Sequence, residues 1–159
     1  MIASIIAKTM DLVALSSKER ELVAALRERV SDEIAINSDL VRDHLRRSKS
    51  VRQNDAEVAP LLKRLKNSAY LRVTSGDLSI KRIFPEKLAK PFSPQDSDGK
   101  GTRQYLKWIE EDKTAGDLLR RFHRRLELLR TPSGNGESYV DVRYLGFMLS
   151  ILRNSIKKG

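Results

Sequence analysis

Leu71-Arg72-Val73-Thr74-Ser75-Gly76-Asp77-Leu78-Ser79-Ile80-Lys81-Arg82-Ile83 is the stretch on which the fold turns. Leu71 and Val73 alternate with polar residues, Ser75-Gly76-Asp77 supplies a turn, and Leu78 and Ile80 alternate again. That pattern predicts a β-hairpin around a glycine turn. The apolar residues on either side recur at helical spacing. The expected fold is therefore mainly α, helical with one small β-hairpin.

Upstream, Ile2, Ile5, Ile6, Met10 and Val13 keep helical spacing. Ser16 or Ser17 offers a cap for a second helix, with Glu19 and Glu21 suited to its first turn and Leu22, Val23, Leu26 and Val30 as its stripe. Asn37 or Ser38 then caps a third helix with Leu40, Val41 and Leu45 inward and Arg42, Arg46 and Arg47 on its polar side. Pro60 suits the first turn of a fourth, which turns Leu61, Leu62 and Leu65 inward and Lys63, Arg64 and Lys66 outward.

Downstream, Pro85 to Gly101 (PEKLAKPFSPQDSDGKG) reads as a linker or long loop, with three prolines and two glycines. It divides a region 1–84 from a helical region 102–159. Tyr105, Trp108 and Ile109 start a helix that Thr114-Ala115-Gly116 bends or breaks. From about Asp117 to Arg130, Leu118, Phe122, Leu126 and Leu129 step along one face, while Arg120, Arg121 and Arg124 project away from it and Arg125 lies at its margin. Pro132 to Gly136 stops this helix. Ser138 with Asp141 resembles a capping arrangement for the last one. Val140, Tyr144, Phe147, Met148, Ile151 and Leu152 cover more than half of that last helix, which makes it a core helix or a surface for a protein partner along 139–156.

The arginine-rich face names a class of partner, since guanidinium forks match phosphate oxygens bidentately. The whole chain has the same sign: 31 Lys+Arg against 21 Asp+Glu, formally +10. Region 1–84 carries 16 basic and 11 acidic side chains, the linker 3 of each, and region 102–159 carries 12 and 7. Both halves are thus equally basic, and the charge favours a polyanion, with DNA ahead of RNA. Absence of cysteine excludes disulfides, thiol nucleophiles and thiolate zinc sites. Met1 to Lys8 lacks the basic start of a signal peptide, and no stretch approaches the roughly 18 apolar residues of a membrane span. The expected setting is intracellular, cytoplasmic or nucleoid-associated.

Residues about 18 to 84 resemble a winged-helix DNA-binding domain in their order of helix, short capped helix, basic helix and hairpin. The segment ending PLLKRLKNSAYL would be the recognition helix and LRVTSGDLSIKRI the wing. The resemblance implies that Lys63, Arg64, Lys66 and Asn67 face DNA from the helix, and that Arg72, Lys81 and Arg82 act from the wing.

Enzymatic readings find little footing. His44 and His123 sit among arginines and read as solvent-facing helix residues. Gly99-Lys100-Gly101-Thr102 lacks the upstream glycine and strand of a phosphate-binding loop. Adjacent Glu110, Glu111 and Asp112 point in different directions, so they read as a solvated face and not as metal ligands. No cofactor is implied. Among the aromatics, Tyr70 and Trp108 are the candidates to stack on bases, the others reading as core.

A non-enzymatic nucleic-acid-binding protein is the leading expectation, with a stand-alone DNA-binding regulator as its first form. The alternative is a small helical subunit of a larger nucleoprotein assembly. The small subunits of CRISPR effector complexes are similar in size, helicity and basic charge, and line a groove for a displaced single strand. A protein–protein adaptor using the apolar last helix is a third possibility.

Overall fold

The computed structural model describes residues 16–48, 57–88, 106–108, 111, 113–131 and 139–156. The expected helix at 2–13, the 49–56 connection, most of Pro85–Gly101 and the Ser138 cap lie outside the described residues.

Helix α1 spans Ser17–Ser48 without a break. Ser16 starts it: its Oγ accepts from the Glu19 amide at 3.2 Å and donates to the Glu19 carboxylate at 3.3 Å. The expected restart at Asn37 or Ser38 does not occur. A mid-helix asparagine breaks a helix when its side chain serves the local backbone. Here the Asn37 amide is fully buried and grips the backbone of Lys66 instead, donating to its carbonyl at 2.8 Å and accepting from its amide at 2.7 Å.

Helix α2, Val58–Arg64, has Pro60 in its first turn, where no backbone donor is needed. Leu61, Leu62 and Leu65 are buried, as expected, and Lys63, Arg64 and Lys66 are exposed.

The stretch Leu71–Ile83 is helical. Helix α3 spans Ser68–Thr74 and α4 Ile80–Ile83, with no hairpin between them. Leu71 is 53% exposed while Val73 is 1%, so the alternating pair does not share a protected face. Two caps decide the outcome. The Glu33 carboxylate, reaching over from α1, accepts from the Ala69 amide at 2.6 Å and so occupies the start of α3. Burial pushes the Glu33 carboxyl up, against the pull of the Ala69 and Tyr70 amides and the Lys66 cation. Ser79 accepts from the Arg82 amide at 3.3 Å and starts α4, which buries Ile80 and Ile83 three residues apart. The wing expected of a winged-helix domain is therefore not formed, and Arg72, Lys81 and Arg82 sit on helices.

Nor does the chain loosen directly after Ile83. Phe84 and Leu88 are buried, and Lys87 forms an antiparallel bridge with Thr114. The Ala115 and Gly116 amides donate to the carbonyls of Glu86 (2.8 Å) and Phe84 (3.0 Å). Arg27 of α1 pairs with Glu86 and lies 4.9 Å over the Phe84 ring.

Thr114 and Asp117 form a reciprocal capping box for α5, Ala115–Arg130, so Thr114-Ala115-Gly116 begins this helix and does not bend it. Burial alone would raise the Asp117 carboxyl, but Thr114's hydrogen bonds and the Lys81 ammonium, 3.3 Å away, hold it below its ordinary value.

Helix α6, Tyr139–Ile156, is a core helix: Val142, Leu145, Met148, Leu149 and Leu152 are fully buried between α1 and α5. One apolar cluster joins side chains from each of α1 to α6, so the described parts of regions 1–84 and 102–159 share a core. Among the described residues, no helix is long and apolar enough to cross a membrane.

Gly116 marks a close contact between α4 and α5. A Cβ there would lie 2.6 Å from the Ile80 carbonyl oxygen and 3.0 Å from its carbon, both backbone atoms of α4. Gly116→Ala gains up to about 1 kcal/mol in helix propensity but forces α4 and α5 apart, an overpacking cost of roughly 1–3 kcal/mol or more. The expected net result is a lower urea midpoint. A midpoint that rises shows that this contact yields.

Candidate nucleic-acid interface

The arginine run on α5 splits into two kinds of side chain. Arg120 and Arg124 are exposed. Arg121 is half-buried, donates from Nε to the Tyr144 hydroxyl at 2.8 Å, and lies 5.0 Å over the Trp108 ring. Arg125 pairs with Asp141 at 2.8 Å. The expected exposed face of Arg120, Arg121 and Arg124 thus contracts to two arginines. The leucine period located the buried side of α5 correctly, but the partners on its flank come from α6. Trp108, offered as a base-stacking platform, is already covered by Arg121 and approached by Lys113 at 5.5 Å.

The histidines are not solvent-facing. His44 is 5% exposed and His123 is 7%. Burial lowers His44, with Glu57 and Asp43 opposing and Arg47 adding to the effect. His123 lies flat on Tyr70, ring centres 3.9 Å apart and 8° from parallel, and meets the Phe122 ring edge-on at 5.0 Å. Burial, helped by the Arg130 charge, lowers it to about 3. It is a neutral ring at neutral pH.

This stack forms the floor of a cleft of about 270 Å³ between α3 and α5. Asn67, Tyr70 and Leu71 make one wall, and Arg120, Arg124 and Glu127 the other. Burial pushes the Tyr70 phenol up; the Arg120 cation opposes that shift and Glu127 adds to it. Arg130 closes one end, but its guanidinium serves the protein, donating to the carbonyls of Leu62 (2.8 Å) and Leu65 where α2 ends.

The remaining expected residues are dispersed. Lys63 and Arg64 are exposed on α2. Lys66 and Arg72 line a second hollow with Arg29, beside Asp32 and Glu33. Lys81 is paired with Asp117, and Arg82 is half-buried. Arg42 and Arg46 line a groove on α1, far along that helix from Arg29, while Arg47 pairs with Asp43 at 3.0 Å.

Arg29, Arg130 and Arg143 were missed. Arg130 had a signal: it continues the Leu118, Phe122, Leu126 ladder by four, and an arginine on a buried ladder needs a polar partner. Among the described residues, no group of three histidines or carboxylates could hold a metal ion.

No family model, curated protein or solved structure matches this chain.

Proposed function

We propose that this chain is a non-enzymatic nucleic-acid-binding protein whose principal contact is the α3–α5 cleft. The observation that carries the reading is the convergence of Arg120, Arg124 and the Asn67 amide beside the half-buried ring of Tyr70. Two guanidinium forks one helical turn apart suit phosphate oxygens, and the Tyr70 ring, stacked by one face on His123, lines the same cleft. Lys63 and Arg64 add exposed positive charge on α2, outside this cleft.

Titration at several salt concentrations tests it. Each lost phosphate contact lowers the slope of log K against log salt by about 0.9 on duplex and about 0.7 on single strands. Arg120→Ala with Arg124→Ala is expected to flatten the slope by nearly two such steps and leave the thermal midpoint in place. Arg121→Ala with Arg125→Ala is expected to do the reverse, since those side chains hold α6. An unchanged slope in the first variant sinks the proposal.

The loss of the wing and the single shared core favour one setting over the other. They support a helical subunit of a nucleoprotein assembly over a stand-alone winged-helix regulator. Weak, strand-nonspecific binding by the purified chain fits that subunit, and tight duplex-specific binding excludes it.

A further inference from the structure

Helices α1 and α6 run antiparallel, with Val41 beside Gly146 and Asp39 3.4 Å from Arg153. A groove of about 620 Å³ lies between them. Arg42 and Arg46, one turn apart on α1, and Arg143 on α6 form its rims, and no carboxylate is among the described residues that line it. Arg42 has only a loose contact with Asp39, at 3.9 Å between two side chains more than half exposed. The floor is apolar: Val41, Leu45 and Phe147, the last two only half-buried. Gly146 keeps that floor shallow and the helices close. A Cβ there would come within 3.0 Å of Val41 Cγ1 and 3.4 Å of Leu45 Cδ1.

We infer that this groove docks an acidic amphipathic helix of a partner protein, its aliphatic side chains on Leu45 and Phe147 and its carboxylates on Arg42 and Arg46. The charge and the floor must be answered together. A phosphate backbone would engage the rims and leave an aliphatic floor wet, whereas a helix with one apolar and one acidic face meets both. Guanidinium forks accept carboxylates as readily as phosphates. The lining from Ser38 to Arg46 is about 12 Å long at 1.5 Å per residue, room for roughly two turns and anchors at i, i+4 and i+7. The proposal does not depend on the nucleic-acid reading, which uses a different cleft.

The test uses the full chain and a synthetic helical peptide with leucines at i, i+4 and i+7 and glutamates flanking them, against its counterpart with lysine for glutamate. Fluorescence anisotropy is expected to show at least tenfold preference for the acidic peptide. Arg42→Glu with Arg46→Glu, at exposed positions that do not endanger folding, is expected to invert that preference. Ser150→Trp, which fills the groove without changing charge, is expected to weaken the acidic peptide at least tenfold and leave nucleic-acid titrations unchanged. The proposal is overturned if the acidic peptide has no advantage, or if the double charge reversal leaves the preference intact. It is equally overturned if Ser150→Trp costs nucleic-acid binding, which would make the groove part of a polyanion track. A dimer in sedimentation that Ser150→Trp disperses would overturn it too, by assigning the groove to a second copy.

Discussion

Residues 1–84, expressed alone, are expected to show fluctuating helicity without a cooperative urea transition. Helix α1 packs most extensively on α6, and α2 and α4 both pack on α5, so truncation removes the neighbour of each. The missing half contributes Leu118, Leu119, Phe122 and Leu126 from α5, and Val142, Leu145, Met148, Leu149 and Leu152 from α6, each at 0–1% exposure. Burying one such side chain is worth about 1.5–3 kcal/mol. The nine together are worth at least as much as the roughly 5–15 kcal/mol by which a typical domain is marginally stable, and the first half's own apolar residues lose the surfaces that cover them. Arg130 goes as well, leaving the Leu62 and Leu65 carbonyls at the end of α2 without their partner. Circular dichroism and dye binding, compared with the full chain, decide the matter. A fragment that melts cooperatively and binds duplex would restore an independent first module.

That outcome bears on what could be read in advance. Helix α5 was legible because Leu118, Phe122 and Leu126 repeat within it, and α2 because Pro60 and the Leu61, Leu62, Leu65 triplet are local signals. The breadth of the apolar face on α6 left two readings, a core helix or a surface for a partner, and the packing of Val142, Leu145, Met148, Leu149 and Leu152 makes it a core helix. What failed was decided at a distance. Leu71–Ile83 alternates like two strands, yet Glu33, 36 residues from Ala69, supplies the cap that makes α3 a helix. Asn37 looks like a cap because its local propensity says so, but its partner is Lys66, 29 residues on. Of the candidate interface, Arg120 and Arg124 were legible as the side of α5 opposite the leucines. Asn67 was expected on the recognition helix, but that helix ends at Arg64, and Asn67 reaches the same cleft from the α2–α3 elbow. Arg120, Arg121, Arg124 and Arg125 surround His123 in sequence and suggest solvent, whereas in the fold its ring lies on Tyr70.

Acid is expected to destabilise the fold through His123. In the unfolded chain this imidazole titrates near 6.5, whereas in the fold it stays neutral down to about 3. Between those values the unfolded state holds the extra proton, so stability, complete above about pH 6.5, declines as pH falls. The slope is about 1.4 kcal/mol per pH unit from this group, or roughly 2–3 kcal/mol by about pH 4.5. His44 is lowered too and pulls in the same direction. Glu33 works the other way: its carboxyl is raised, so the fold takes up a proton there before the unfolded chain does. Asp117, held low, adds a loss only below the ordinary carboxylate range. His123 should therefore dominate between about pH 6.5 and about pH 4.5. His123→Phe keeps an aromatic ring on Tyr70 and removes the titration, so urea midpoints measured across that range should fall less steeply than in the parent chain. Parallel slopes in the two proteins would show that His123 takes up its proton without leaving the stack.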